Sequence, residues 1–255
     1  MTWKAIGKSV TGTSHEATGK GCEDSLSYLV LNDADGQEVL VCCVSDGAGS
    51  ASEAAYASAY ATEMMREFAA LIIRHGEALS EAHAYALAED IYYGLEAEAT
   101  TRDKKTEEYS CTLVGCIITQ QNALFLQIGD GAIICDDGND GYHVVWWPEN
   151  GEYHNTTNFV TDDPGFGNLK VKLINDPITE VALITDGLQL LALNTETRSV
   201  HQPFFRNMFR YLRKADNEEK TGILNRKLAE FLTSERVNER TDDDKTLVMA
   251  TRLDT

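Results

Sequence analysis

Three times in this chain of 255 residues, an apolar run ends in an aspartate that is followed by glycine. A short apolar run of this kind is typical of a strand buried on both faces. An aspartate at its end is held by a rigid element, and the glycine lets the backbone approach an ion closely. Each run alone is an ordinary strand and turn, but the recurrence favours a shared role. The runs at 39–44, 124–128 and 181–184 lead to Asp46, Asp130 and Asp186.

Two further acidic clusters lie beside strand-like segments. Glu23 and Asp24 precede the pattern at 26–30, and residues 242–244 precede the pattern at 246–250. Five acids at the ends of five predicted strands can converge on one edge of a sheet sandwich. Because converging carboxylates repel one another, cations must neutralise them. Neither Cys nor His joins the set, which favours Mg²⁺ or Mn²⁺ over zinc.

Charge and composition narrow the possible partners and the compartment. The net charge of -19, from 41 acidic and 22 basic residues, argues against nucleic acid and anionic membranes as partners. No apolar stretch approaches the roughly 20 residues that span a bilayer, and the first residues have no signal-peptide pattern. The six cysteines include no CxxC pair, so we expect a reduced, cytoplasmic protein.

The apolar periodicity predicts helices and strands within one domain covering 1–255. Residues 1–21 are expected to form an edge strand and then a loop, and Ser50 or Ser52 to cap the first long helix. Residues 148–169 lack periodicity, and a loop of this length in a compact domain is usually functional. The predicted helices are 50–73, 80–98, 187–193, 203–214 and 218–232. The predicted strands are 26–31, 38–45, 110–119, 123–128, 132–135, 142–147, 170–174, 179–185 and 245–252.

Six short motifs, in this order and with this strand context, carry a family resemblance. The chain resembles the metal-dependent protein phosphatases of the PPM (2C) type, and their bacterial branch most closely. The resemblance covers about residues 7–252. The motifs are Glu23-Asp24, Asp46-Gly47-x-Gly49, Ser110-x-Thr112, Gly129-Asp130-Gly131-Ala132, Thr185-Asp186-Gly187 and Asp243-Asp244-x-Thr246.

The resemblance implies a fold, an activity and a set of ligands. The fold would be α+β, a four-layer α-β-β-α sandwich with two central antiparallel sheets and a flap at 148–169. The activity would be hydrolysis of phosphoserine and phosphothreonine in a phosphoprotein by a metal-bridged water, opposing a Ser/Thr kinase. In this picture Asp46 bridges two Mg²⁺ or Mn²⁺ ions. Glu23 and the Gly47 carbonyl complete the ligands of one ion, and Asp186 and Asp243 complete the ligands of the other. A weaker third ion would face Asp130, with Asp24 and Asp244 supporting the ligands.

Three positions depart from the pattern of the family, and one of them is Asp244, which stands where an asparagine is common. Many members have an arginine that grips the phosphate four residues before the first metal-ligand glutamate, and Gly19 occupies that position. Lys20 or His15 is therefore the expected phosphate contact, although lysine offers a point charge and not a bidentate fork. Leu190 stands where many members place an acid for the third metal.

Other functions remain open from the sequence alone. The absent arginine favours a non-catalytic regulatory or binding module on the same fold. The acidic turns favour a structural protein that binds divalent ions, with a preference for calcium and no turnover. A small-molecule phosphomonoesterase could use the same metal site.

Overall fold

In the computed structural model, which describes residues 2–136, 138, 141–148 and 157–253, two five-stranded antiparallel sheets lie face to face. The first sheet has the order β1 (Lys4–Val10), β12 (Lys245–Thr251), β9 (Glu180–Ile184), β6 (Ala132–Asp136) and β7 (Tyr142–Val144). The second has the order β2 (Asp24–Asn32), β3 (Glu38–Asp46), β4 (Leu113–Ile118), β5 (Ala123–Ile128) and β8 (Lys170–Ile174).

The continuous apolar runs arise because the central strands are covered on both faces. Successive side chains of a strand point to opposite faces. On β3, Val39, Val41 and Cys43 therefore pack under helices, whereas Leu40, Cys42 and Val44 pack against the other sheet. The same alternation holds on β12, where Val248 and Ala250 face the other sheet and Leu247 and Met249 face helices.

Two long helices cover the outer face of each sheet. Helices α2 (Ala54–His75) and α3 (Glu81–Thr101) pack on the second sheet. Helices α5 (Gln202–Arg213) and α6 (Glu218–Leu232) pack on the first. These layers confirm the predicted α+β, four-layer α-β-β-α sandwich.

The segment after β1 contains a helix that the sequence did not predict. Residues 11–21 were expected to form a loop, but α1 (Thr13–Thr18) lies within them. Gly19 ends this helix with φ of 73°, in the left-handed region that glycine adopts without strain. Because none of the six residues of α1 is buried, the helix has no apolar stripe that periodicity could detect.

The predicted cap of α2 was also wrong. Glu53 occupies the N-cap position and makes no side-chain cap bond. The Ser52 hydroxyl instead donates a hydrogen bond to Glu108, at 2.8 Å. Short elements complete the described chain: α4 (Gln189–Ala192), the hairpin of β10 (Leu193–Asn194) and β11 (Ser199–Val200), and α7 (Glu235–Asn238).

The predicted flap at 148–169 is described only in part, since 149–156 lie outside the described residues. Its second half is held against the body of the protein. The Val160 amide donates to the Cys111 carbonyl at 2.9 Å. Phe166 is buried and meets the Tyr92 ring of α3 edge-on, with centroids 6.1 Å apart.

The cysteines and the helices bear on two requirements, those of disulfide bonding and of a membrane span. All six thiols are free, and each is buried except the half-buried Cys22. Among the helices that the structure describes, none has the length and apolar character that crossing a bilayer requires.

Candidate metal centre

Three aspartates from three strand ends converge at one edge of the sandwich. Asp46 is the last residue of β3, and Asp130 and Asp186 each lie two residues beyond β5 and β9. One carboxylate oxygen from each lies within 4.8 Å of the others. These are three of the five acid positions at which strand-end convergence was predicted. The oxygens of Glu23 and Asp243 lie outside this 4.8 Å group of described residues.

The electrostatics of this group favour a cation. Burial raises the pKa of Asp46 well above its ordinary value, and the charges of Asp24 and Asp186 raise it further. Burial also raises the pKa of Asp186 to about 7, with further contributions from Asp130 and Asp243. The neighbouring charges that raise these two pKa values are carboxylates of the described chain. A set of oxygen donors whose negative charges repel one another fits Mg²⁺ or Mn²⁺.

Asp24 joins the two sheets behind the three converging aspartates. Its Oδ2 accepts hydrogen bonds from the hydroxyls of Thr185, at 2.7 Å, and Thr246, at 2.7 Å. Asp24 begins β2 in the second sheet, whereas Thr185 follows β9 and Thr246 lies on β12 in the first. Burial raises the pKa of Asp24 to about 7 even though the two hydroxyls lower it. This side chain therefore sets the distance between Asp46, its cross-strand neighbour, and Asp186.

Asp244 is a buried carboxylate that organises the segment before β2. Its Oδ1 accepts from the Gly12 amide at 2.6 Å, and its Oδ2 from the Glu23 amide at 2.5 Å. His15 Nδ1 lies 3.0 Å from the same Oδ2. Three donors on one carboxylate hold α1 and the Glu23 backbone to the start of β12.

Glu23 faces basic groups and contacts the loop that follows Asp46 through its backbone. Its carboxylate lies 3.1 Å from Lys20 Nζ and 3.6 Å from His15 Nε2. Its carbonyl accepts from the Gly47 amide at 3.2 Å and from the Ser58 hydroxyl at 2.6 Å. The Lys20 side chain is 43% exposed, so the predicted phosphate contact is reachable from solvent.

Two glycines allow the acidic segments to approach one another closely. A Cβ on Gly187 would lie 1.9 Å from the Asp244 carbonyl oxygen. A Cβ on Gly12 would lie 2.2 Å from the Asp243 carbonyl carbon. In both cases the obstacle is backbone, so no side-chain rotation could make room.

Sequence reasoning missed several polar residues that hold the acids in place. The Thr157 hydroxyl donates to Asp130 Oδ2 at 2.6 Å, and the Gln189 amide to the Asp130 carbonyl at 2.7 Å. The Asp46 amide donates to the Thr112 hydroxyl at 2.9 Å. A usable signal was the placement of Thr112, Thr185 and Thr246 next to apolar strand segments, where a hydroxyl must find a partner. Thr157 lies in an aperiodic loop and gave no such signal.

Comparisons with known proteins agree with this geometry. A family model described as protein phosphatase 2C matches residues 11–233. Serine/threonine-protein phosphatase 3 of Escherichia coli (strain K12) is 35% identical over 251 residues, covering 98% of this chain and 98% of that protein.

Solved structures share the fold at much lower sequence identity. The Mycobacterium tuberculosis serine/threonine phosphatase PstP/Ppp has a TM-score of 0.65 at 12% identity, covering 100% of both chains. Serine/threonine phosphatase Stp1 from Staphylococcus aureus has a TM-score of 0.59 at 17% identity, covering 99% of this chain and 96% of that one. By its family match and its full-length relative, this chain belongs to the protein phosphatase 2C family.

Proposed function

We propose that this chain is a metal-dependent protein serine/threonine phosphatase that hydrolyses phosphoserine and phosphothreonine in other proteins. The observation that carries the proposal is the group of buried Asp130 and half-buried Asp46 and Asp186, whose oxygens lie within 4.8 Å of one another. The family match and the name of the Escherichia coli relative support the same reaction. The six free cysteines support a reducing compartment, and we place the protein in the cytoplasm.

The ligands we assign are those that the family resemblance implied. Asp46, Glu23 and the Gly47 carbonyl would hold one ion, and Asp46, Asp186 and Asp243 another, with Mg²⁺ or Mn²⁺ as the metal. Asp130 is close enough to Asp46 and Asp186 to take part in a further site. When bound, two such ions supply positive charge that lowers the pKa of a water molecule and neutralises phosphoryl oxygens.

The protein side chains position the substrate and keep the acids in register. Lys20 lies on the exposed segment beside Glu23, where its Nζ donates to the Glu23 carboxylate and the Gly49 carbonyl, and we assign it a phosphate contact. His15 lies between Glu23 and Asp244, and we assign it a second, partly buried phosphate contact. Asp24, tied to Thr185 and Thr246, holds the two sheets at a fixed separation. Preorganised charge of this kind needs no rearrangement at the moment of reaction.

The first test is hydrolysis of para-nitrophenyl phosphate and of a phosphothreonine peptide, with and without Mn²⁺. Asp46→Asn removes the central negative charge with little change of shape, and we expect it to lower kcat at least about 100-fold. Asp35→Asn makes the same chemical change in an exposed turn and should leave the activity at the wild-type level.

Two other results would redirect the assignment. Turnover that persists in EDTA, or that survives Asp46→Asn, would contradict a metal-dependent reaction at this site. Mn²⁺ binding without turnover of either substrate would favour the regulatory module, because Gly19 stands where many family members have the arginine that grips the phosphate. A Cβ placed at position 19 would meet no described atom within 4 Å outside its chain neighbours. Hydrolysis of the small ester but of no phosphopeptide would favour a small-molecule phosphomonoesterase.

A further inference from the structure

An open groove lies across the outer helical layer of the first sheet. It has a volume of about 580 Å³ and is bounded by α4, α5, α6 and α7. Large apolar side chains line it, and Leu190 and Tyr211 are 65% and 55% exposed. The apolar residues that the following steps use are Leu190, Phe204, Met208, Tyr211 and Phe231.

The groove continues between α5 and α6 and reaches under them to buried side chains of the first sheet, Ile6 and Met249. A neighbouring hollow of about 460 Å³ shares Met208, Tyr211 and Phe231 with it. A third hollow again includes Tyr211. The three hollows meet at Tyr211, and together they are called the channel below.

The charges along this channel are opposite in sign to those of the molecule as a whole. The chain carries 41 acidic and 22 basic residues, yet every charged residue that lines the three hollows is basic. Arg236 and Arg240 border the main groove, and within the described chain neither forms an ion pair. Lys227 borders the second hollow, and Lys214 and Lys220 the third, where Lys220 is already paired with Asp216 at 2.6 Å. The proposal below therefore depends on the positive charges of Arg236 and Arg240. An apolar floor with a basic rim selects for acidic segments that carry an apolar side chain.

Both edges of the groove are joined to the candidate metal centre by a few residues of chain. Leu190 follows Asp186 by four residues, through a 3-10 turn and the start of α4. Arg240 precedes Asp243 by three residues, a distance of at most roughly 11 Å along an extended backbone. The groove therefore begins beside the acids, and a chain bound at the acids can continue into it.

We propose that this groove binds the segment of a phosphoprotein substrate that flanks the phosphorylated residue, and that it selects acidic segments with an apolar anchor. The proposal rests on the phosphatase function proposed above and adds the substrate class to it. Leu190, which stands where relatives place an acid for a third metal, contributes the apolar contact nearest the metal centre. A second copy of this chain fits less well, because a two-fold contact would bring the arginines of one groove against those of the other.

The test compares matched phosphothreonine peptides. The acidic peptide carries a cluster of one phenylalanine and three glutamates that begins four residues from the phosphothreonine. It is made in two versions, with the cluster on the N-terminal or on the C-terminal side of the phosphothreonine. The reference peptide replaces the phenylalanine by serine and the glutamates by lysines. Each kcat/KM is divided by that on para-nitrophenyl phosphate, which is too small to reach the groove.

The variants separate the groove from general charge effects. Arg236→Glu combined with Arg240→Glu reverses the rim. Arg74→Glu combined with Lys172→Glu makes the same change of net charge at exposed positions of α2 and β8. We expect the wild-type ratio to be at least tenfold higher for one acidic peptide than for the reference. The rim variant should lose this preference, mainly through KM, and the control variant should keep it.

Equal ratios for the acidic and reference peptides in the wild type would overturn the proposal, as would a preference that survives reversal of the rim. Fluorescence anisotropy of the labelled, unphosphorylated acidic peptides measures docking without turnover. If no substrate is hydrolysed but this peptide binds through the arginines, the phosphatase function fails and the groove serves a partner that is not a substrate. A change of oligomeric state in the rim variant, measured by sedimentation, would assign the groove to self-association.

Discussion

At the scale of single residues, Gly187 sets how closely the chain after β9 approaches the chain before β12. Replacing it by alanine places a methyl group 1.9 Å from the Asp244 carbonyl oxygen, so the backbone must move. Asp186 immediately precedes Gly187, and Asp243 immediately precedes Asp244, whose carbonyl would be displaced. We expect Gly187→Ala to lower Mn²⁺ affinity and kcat/KM at least about tenfold, because a shift near 1 Å in a site can cost that much or more.

Gly222→Ala is the matched control. Gly222 lies within α6, and a Cβ there meets nothing closer than the Arg226 side chain at 3.9 Å. Alanine should therefore raise the free energy of unfolding by about 0.5–1 kcal/mol and leave Mn²⁺ affinity unchanged. Calorimetric titration with Mn²⁺ and urea unfolding measure the two quantities. A Gly187→Ala protein with wild-type affinity would show that the two segments need no close approach.

The acids of the site were predictable because each ends a strand whose apolar pattern is visible. The topology of the sheets brings together the strand ends that carry Asp46, Asp130 and Asp186. Predicting that they converge therefore did not require predicting any contact between them. The contacts that hold them were not predictable, because Asp24 meets Thr185 and Thr246 across more than 150 positions of chain. The metal-ligand roles of these three strand-end aspartates stay predictions, as do those of Glu23, Gly47 and Asp243.

At the scale of elements, a buried ion pair attaches α5 to the first sheet. Glu180 of β9 is 1% exposed and accepts from Arg213 Nε at 2.9 Å and Nη2 at 2.6 Å. The hydroxyls of Tyr142 on β7 and Thr251 on β12 also donate to it, at 2.6 Å and 2.8 Å. Four donors from three elements meet one carboxylate, so its charge is fully compensated.

Removing one partner of this pair should be far more damaging than removing both. Arg213→Met leaves a buried carboxylate without a cation and should lower the free energy of unfolding by about 3–5 kcal/mol. Combining it with Glu180→Gln removes the charge and should recover more than half of that loss. Urea unfolding of the single and double variants measures the difference. Additive losses in the double variant would contradict coupling between the two residues.

The long helices and most strands were predictable because burial imposes a period on them. The α6 helix and the β5 and β8 strands match their predicted ranges. Elements with no buried face, such as α1, or with two residues per strand, such as β10 and β11, leave no period. The cap of α2 was missed for another reason: Ser52 is held by Glu108, 56 residues away, in preference to its own helix.

At the scale of the whole molecule, the two sheets meet at one end through acids from both. The second sheet supplies Asp24, Asp46 and Asp130, and the first supplies Asp186 and Asp243. Closing the sandwich therefore forces like charges together, and the free energy of that repulsion is a property of the folded state. A metal ion that binds only there stabilises the fold by mass action.

Burial of these acids, and after it their mutual repulsion, predicts how the stability of the metal-free protein depends on pH. Folding raises the pKa of Asp24 and Asp186 to about 7 and raises that of Asp46 as well, from about 4 in an unfolded chain. The folded state therefore binds these protons more tightly. The resulting stabilisation is complete below about pH 4 and is lost as the pH rises towards 7.

We therefore expect Mn²⁺ to raise the Tm of EDTA-treated protein more at pH 7.5 than at pH 5.5. Asp46→Asn separates this effect from the titration of other groups, because it removes one charge from the cluster permanently. Without metal at pH 7.5, this variant should melt at a higher temperature than the wild type, and the difference should shrink at pH 5.5. Thermal unfolding followed by circular dichroism measures both proteins. An Asp46→Asn variant that is less stable than the metal-free wild type at pH 7.5 would contradict this prediction. It would show that the favourable contacts of Asp46 outweigh its repulsion by the neighbouring carboxylates.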